Sequence, residues 1–338
     1  MSKNVASIED VVEVRESSPL QRILGNQAFW ITLAIVIISI VMTILSDAFL
    51  TSNNLFNVTR NLSFIGIMAL GMTPVIITAG IDLSVGSVMG LSGVILGLVL
   101  GAGQPMWVGI TIGLGTALFV GGVNGFLIAY VRLNPFVVTL GMLSLARSQA
   151  IVFSQNKMIF DFGPEARRFL DLGGGALELG QFARIPNPLI AMVILAVIFW
   201  FLLNYTPWGQ YVYAVGGNEE AARLTGVPVR WIKMSVYMLS ALMAGIAAVL
   251  MVGWLGAVTN ALGTGDELRV IAATVIGGAN LLGGAGTAYG AVIGAVLIEV
   301  IRNALILAGV SAFWNGTFVG LFIILAVFLE RLRNYRRA

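Results

Sequence analysis

The chain of 338 residues contains no cysteine and no histidine, and only 10% of its residues are charged. The first two absences exclude disulfides, thiolate metal sites, haem ligation by either side chain and imidazole acid–base chemistry. The third is as informative. Soluble domains carry about 25% charged residues and about 45–50% apolar ones, whereas here apolar types reach 58% and mean hydropathy is +0.94. So much apolar surface cannot be hidden in one core, so the solvent of this chain is lipid. The net charge of +3 and isoelectric point near 9.4 do not signal nucleic-acid binding, because the basic residues sit mostly at the edges of apolar runs, where they set orientation.

A cleavable signal pattern is also missing. Residues 1–27 mix Glu9, Asp10, Glu13 and Glu16 with Lys3, Arg15 and Arg22, which reads as a cytoplasmic N-terminal tail followed by a retained first span. What the chain has in abundance is glycine, 41 residues without a collagen period, suited to close helix–helix approach in a bilayer. Spans of about 20 apolar residues are needed to cross about 30 Å of hydrocarbon. Ten segments qualify: 28–48, 62–80, 83–103, 107–130, 136–154, 187–205, 233–255, 267–283, 287–309 and 313–330. The eighth is short and glycine-rich. The expected fold is therefore an all-α membrane protein with about ten transmembrane helices in one transmembrane domain over 28–330. A basic tail, 331–338, ends the chain. With ten spans both termini share a side. Placing them in the cytoplasm puts eleven Lys and Arg inside against five outside, as orientation by basic loops requires. Two loops are long: 155–186 outside and 206–232 inside.

A faint repeat relates 111–129 to 290–308, aligning Gly115 with Gly294 and Asn124 with Asn303. It predicts halves of inverted topology, spans two to five and seven to ten, as in many transporters. Asp82 in "GIDLS" would then correspond to Asp266 in "TGDEL", each at a helix start and on opposite sides of the membrane.

Asp82 is the only charge between Arg60 and Arg132. An Asp before an apolar run is an N-cap signal, which predicts a cap for the third span at the cytoplasmic edge. An intramembrane carboxylate also marks a polar pathway, and both readings stay open. Ser84, Pro74, Asn124 and Asn303 are further pathway or gate candidates: Pro74 removes a helix hydrogen bond, and the polar groups can bond neighbouring helices. Glu299 and Arg302 stand three apart and can neutralise each other. Asp266, Glu267 and Arg269 cluster at an expected outer helix start. In the inner loop, Asn218 or Gly217 can cap a short helix with Glu219 and Glu220 in its first turn. Ala221 and Ala222 continue it and Gly226 ends it. The run Gly277–Gly284 lacks the Gly-Lys-Ser/Thr of a phosphate loop, so packing explains it better.

The segment 220–226 fits Glu-Ala-Ala-x-x-x-Gly, which resembles the loop by which permeases of bacterial ABC importers engage their ATPases. Together with "TAGIDLSVGSVMGLSG" (78–93), "VGGNEEAARLTGV" (215–227) and "VIGGANLLGGAGTAYGAVIGA" (275–295), it is similar to the ribose/monosaccharide branch of those permeases, over roughly 50–330. The sequence departs from the family at Ala79-Gly80, often Gly-Gly, and at Arg302 and Ala304 around Asn303. The resemblance implies a permease subunit of the bacterial inner membrane, paired with a second permease copy or a related one. It implies a cytoplasmic ATPase docking on 217–226 and an external sugar-binding protein, with Asp266, Glu267 and Arg269 as contact candidates. The chain itself would be no enzyme and hold no cofactor or metal, ATP and Mg being used by the partner. An ion-coupled secondary transporter is the rival reading, and Asp82 and Glu299 are its only candidate carboxylates.

Overall fold

A computed structural model of the protein describes residues 27–180 and 183–310, with isolated positions 314, 316, 317, 320 and 321. Its helices are α1 (Gln27–Leu45), α2 (Ser52–Ile77), α3 (Val85–Gly101), α4 (Met106–Ala129), α5 (Pro135–Ser154), α6 (Ala166–Gly174), α7 (Asn187–Tyr205), α8 (Pro207–Gly217), α9 (Glu219–Leu224), α10 (Val229–Leu255), α11 (Asp266–Ile276) and α12 (Ala288–Leu307). A hairpin of β1 (Ala176–Leu179) and β2 (Ala183–Pro186) lies between α6 and α7, with Leu177 opposite Ile185. Among the described residues seven helices, α1, α2, α4, α5, α7, α10 and α12, are long and apolar enough to cross a membrane. The protein is thus a largely helical membrane protein.

Polar caps set the helix starts. Thr51 accepts from the Asn54 N–H at α2, Asn134 from the Phe136 N–H at α5, and Thr287 from the Gly290 N–H at α12. These bonds satisfy donors that no helical carbonyl can reach. α2 is the centre of the assembly, since every residue from Leu62 to Ile77 is buried. A helix that is apolar all round belongs inside. α10 crosses beside it and also contacts α3, α4 and α6. Small residues allow that approach: side chains added at Gly121 or Gly125 of α4 would meet α10 backbone at Tyr237, Met238 and Met234.

Three expectations change. The eighth candidate, 267–283, is not a single spanning helix: α11 has only 11 residues. Beyond Ile276 the chain closes an irregular loop through Asn280 N–H to the Ala285 carbonyl and Gly283 N–H to that of Asn280. The positive φ values of Gly278, Gly283 and Gly284 explain why this run is glycine-rich. The third candidate becomes α3, 17 residues, which begins inside the protein. The inner loop holds two helices, α8 and α9, where one was expected. The tenth candidate, 313–330, lies almost wholly outside the described residues, as do the terminal tails.

Helices α11 and α12 touch backbone to backbone. A Cβ at Gly294 would overlap the Ala273 carbonyl, whereas one at Gly141 would meet nothing within 4 Å. Gly294→Val should therefore lower stability by about 1–3 kcal/mol through overpacking, with Gly141→Ala near neutral. Thermal unfolding in detergent checks both.

Candidate functional site

After Ile77 the chain reverses. Gly80 N–H donates to the Val75 carbonyl at 2.9 Å and Ala79 adopts φ 56°. Gly80 is required, because a Cβ there would collide with the Tyr237 hydroxyl and the Val75 carbonyl. The segment then folds back along α2 before α3 starts. Its depth can be read from α10: Ser240, which bonds Asp82, lies about 16 Å along that helix from Val229 at about 1.5 Å per residue. Asp82 is therefore well inside the apolar layer, not at its edge.

Asp82 is 1% exposed. Its Oδ1 accepts the Ser84 N–H at 3.0 Å and the Ser84 hydroxyl at 2.6 Å, and its Oδ2 accepts the Ser240 hydroxyl at 3.0 Å. Asn124 of α4 donates to Ser84 Oγ at 2.9 Å. No ion pair among the described residues includes Asp82. The expected N-cap is corrected: Ser84 precedes α3 and makes no side-chain cap bond. Asp82 instead closes a turn two residues long and ties the break to α10. Three donors and the start of α3 compensate its charge, hydrogen bonds to a carboxylate being the strong kind.

The start of α11 meets the start of α3. A Cβ on Gly86 would collide with the Gly263 carbonyl and with Glu267 Oε2. Arg147 of α5 holds the 256–265 segment in place by donating to the carbonyls of Asn260 at 2.6 Å and Leu262 at 2.8 Å. From this meeting α3 runs toward the 161–163 loop, where Gly101 and Gly163 pack, while α11 runs toward α8, where 283–284 meets Gly216. Asp82 and Asp266 therefore lie on the two segments that meet inside the protein, not on opposite faces as expected. Asp266 is 7% exposed and pairs with Arg269 at 3.2 Å, and Glu267 and Arg269 are partly buried. This trio does not form the exposed outer patch that a contact with a soluble partner needs.

Asn303 is also placed apart from Asp82. It exchanges two amide hydrogen bonds with Asn54, at 3.0 and 2.7 Å, joining α12 to the beginning of α2. Asn124 and Asn303 thus have different partners despite their aligned positions. Glu299 and Arg302 bond at 2.8 and 3.1 Å, the expected mutual neutralisation. Pro74 stands one turn before the end of α2, and Thr78 N–H bonds its carbonyl. Its missing N–H leaves the last turn less tied to the rest of the helix.

The sequence reading missed Ser240 and Tyr237, which reach the break from a distant helix, and Arg147's carbonyl clamp. Four buried polar side-chain atoms have no hydrogen-bond partner, Arg60 Nε, Ser87 Oγ, Asn124 Oδ1 and Glu267 Oε2, and of these residues the sequence had not singled out Ser87. Such atoms are rare in folded proteins, and water or a polar ligand commonly satisfies them. The three oxygens among them lie on elements that form the break, α3, α4 and α11.

At the other end, Asn218 caps α9 by accepting the Ala221 N–H at 2.9 Å, and Gly226 ends it with φ 86°. Glu220 pairs with Arg223 and Glu219 with Lys233. Ala222 is buried, whereas Leu224 is 80% exposed. α8 connects this helix to the break. A Cβ on Gly216 would overlap the Ile77 carbonyl, and Gly284 N–H donates to that same carbonyl at 2.9 Å. The Tyr213 hydroxyl donates to the Gly286 carbonyl at 2.7 Å. Burial raises its pKa above the usual phenol value, so it remains a donor.

Replacing Asp82 by Ala should leave the Ser84 N–H and the Ser240 hydroxyl unpaired, at about 1–3 kcal/mol. Asp82→Asn keeps an oxygen acceptor and should lose less. Thermal unfolding of inserted protein should rank wild type above Asn above Ala; an Ala variant as stable as wild type would contradict the cradle.

Residues 54–327 match the profile of a family described as branched-chain amino acid transport system / permease component. The ribose import permease protein RbsC of Escherichia coli K12 is 38% identical over 301 residues, 89% of this chain and 92% of the relative. The fructose import permease protein FrcC of Rhizobium meliloti is 35% identical over 92% of this chain and 88% of its own length. The L-arabinose ABC transporter permease protein AraH of Azospirillum brasilense is 36% identical over 86% and 84%. With a family profile and relatives covering most of its length, the chain belongs to this family of ABC-importer permeases.

Proposed function

We propose that the protein is the transmembrane subunit of an ATP-driven importer for a monosaccharide-like solute, in keeping with relatives named for ribose, fructose and arabinose import. The observation that carries the mechanism is the unbroken contact from α9 through Gly216 to the Ile77 carbonyl and on to the Asp82 cradle.

In this reading the core has ten spans in two inverted halves, with both termini in the bacterial cytoplasm. The opposed directions of α3 and α11, each starting inside, support the inversion, and the Lys and Arg distribution supports the orientation. α9 is then the cytoplasmic knob. Exposed Leu224 offers an apolar contact to a separate ATPase, and the Glu220–Arg223 pair keeps the face rigid. Movement of α9 displaces α8. The close contact of Gly216 with Ile77 and Gly284 passes that displacement to the end of α2, where Pro74 has loosened the last turn. The 78–84 segment shifts against α10, and the unpaired oxygens of Ser87, Asn124 and Glu267 are positioned to meet water or sugar hydroxyls. An external binding protein delivers the sugar, and a second permease completes the path. The chain contributes no covalent chemistry.

Two variants separate docking from transmission. Leu224→Asp should insert normally but lose ATPase co-purification. Gly216→Leu should retain the ATPase while sugar uptake in proteoliposomes falls at least about tenfold, the scale of about 1.4 kcal/mol. Full uptake by Gly216→Leu would sink the transmission route. The docking assignment is checked by bulky Glu220→Trp or Gly226→Trp; unchanged assembly and uptake in both would overturn it.

A further inference from the structure

Two hollows lie end to end along α4; the transport mechanism uses neither the first nor the Arg132 and Arg230 side of the second, whose opposite wall is the coupling helix α9. The first is an apolar groove of about 490 Å³ bounded by Gly115, Leu118, Phe119, Gly122, Phe126 and Met238. Gly115 and Gly122 open it, since a Cβ at either would meet nothing within 4 Å. Phe119 and Phe126 flank it and are 73% and 50% exposed. From Gly115 to Phe126 the groove spans about 16 Å at about 1.5 Å per residue, close to half of a hydrocarbon core of about 30 Å. It therefore has the length of one leaflet.

The second hollow begins where the first ends. It measures about 730 Å³, and its lining includes Tyr130, Arg132, Arg223, Arg230, Trp231 and Lys233. Arg223 and Lys233 are neutralised by Glu220 and Glu219. Arg132 and Arg230 have no carboxylate partner among the described residues. A ladder of rings joins the two hollows: Phe126 stacks on Tyr130 with centroids 5.5 Å apart, and Arg230 lies over the Tyr130 ring at 6.0 Å. Trp231 is 53% exposed beside them. Aromatic rings at the end of a span mark the headgroup level.

We propose that this face of α4 binds one anionic phospholipid, an acyl chain lying over Gly115 and Gly122 and the phosphate held between Arg132 and Arg230. The assignment to the cytoplasmic leaflet rests on the orientation proposed above. Charge and depth favour this occupant. A soluble partner cannot enter hydrocarbon to fill the glycine groove. A second copy meeting this face by two-fold symmetry would set the patch against itself, bringing unpaired arginines together. Basic pockets between helices on the cytoplasmic side suit anionic headgroups. The lipid would brace the loop joining α4 to α5 beside the coupling helix.

The test is native mass spectrometry of the full-length protein released from nanodiscs containing equal phosphatidylglycerol and phosphatidylcholine. Wild type should retain phosphatidylglycerol in preference. Arg132→Gln and Arg230→Gln should each weaken that preference about fivefold, as expected for one basic residue at an anionic surface. Gly122→Phe should reduce retention of both lipids. Equal retention of the two lipids by wild type, or an unchanged preference in the doubly substituted protein, would overturn the proposal. So would efficient disulfide formation between two copies carrying Gly122→Cys, which would give the groove to a second protomer. Lipid retention needs neither ATPase nor sugar. A failed coupling assignment would appear in the Leu224→Asp experiment and leave this readout intact.

Discussion

Backbone that is neither helix nor sheet is tolerated at membrane depth only where protein or enclosed water satisfies it. The structure depends on how that constraint is met between Ile77 and Val85. Here the chain abandons one helix and starts another inside the apolar layer. Asp82 takes up the freed Ser84 N–H, the Tyr237 hydroxyl donates to the Ile81 carbonyl, and the side chains of Ser84, Ser240 and Asn124 complete the network around the carboxylate. Asp82 is the element that makes the break possible. Its oxygens take donors from its own segment and from α10, so the fold-back and the neighbouring helix are held by the same group. Glycines on either side, Gly80 and Gly86, remove the side chains that would block the reversal and the meeting with 263–267.

That arrangement joins fold to function through geometry alone. In the mechanism proposed above, a solute is moved by a polar centre tied to a surface that a motor can push. In that proposal the centre is where α3 and α11 begin, and the pushed surface is α9. Between them stand Gly216, Ile77 and Gly284, which touch through backbone atoms. Backbone contact transmits displacement better than flexible side chains, because it has no rotamers to absorb the movement.

Much of this could be read from the sequence, and the limits have physical causes. The apolar runs gave the spans, because hydropathy over 20 residues is a local property. The cap and stop of α9 were legible at Asn218 and Gly226 for the same reason. The lone charge at Asp82 was visible, but its partner Ser240 was not, since serine is common in spans and 158 positions separate the two. Its role was misread as a cap because Asp before an apolar run carries that meaning in isolated helices. Here Ala79-Gly80 turns the chain back first. Asp266 was expected on the outer face because the order of spans put the connection between the seventh and eighth outside. Arg147, one charge on an otherwise apolar helix, holds that loop inside by its carbonyls. The glycine groove on α4 was also hidden, because spacing does not show which glycines are packed against and which are open.

The most direct measurement of the central claim is hydrogen–deuterium exchange of the segment 78–88 in the assembled, membrane-embedded transporter, with and without trapped ATP. If α9 drives the break through α8 and Ile77, amides around Ser84 are protected at rest and exchange faster when the ATPase closes, in step with those of α8. An ATP-dependent change confined to α9, with 78–88 equally protected in both states, would contradict the account.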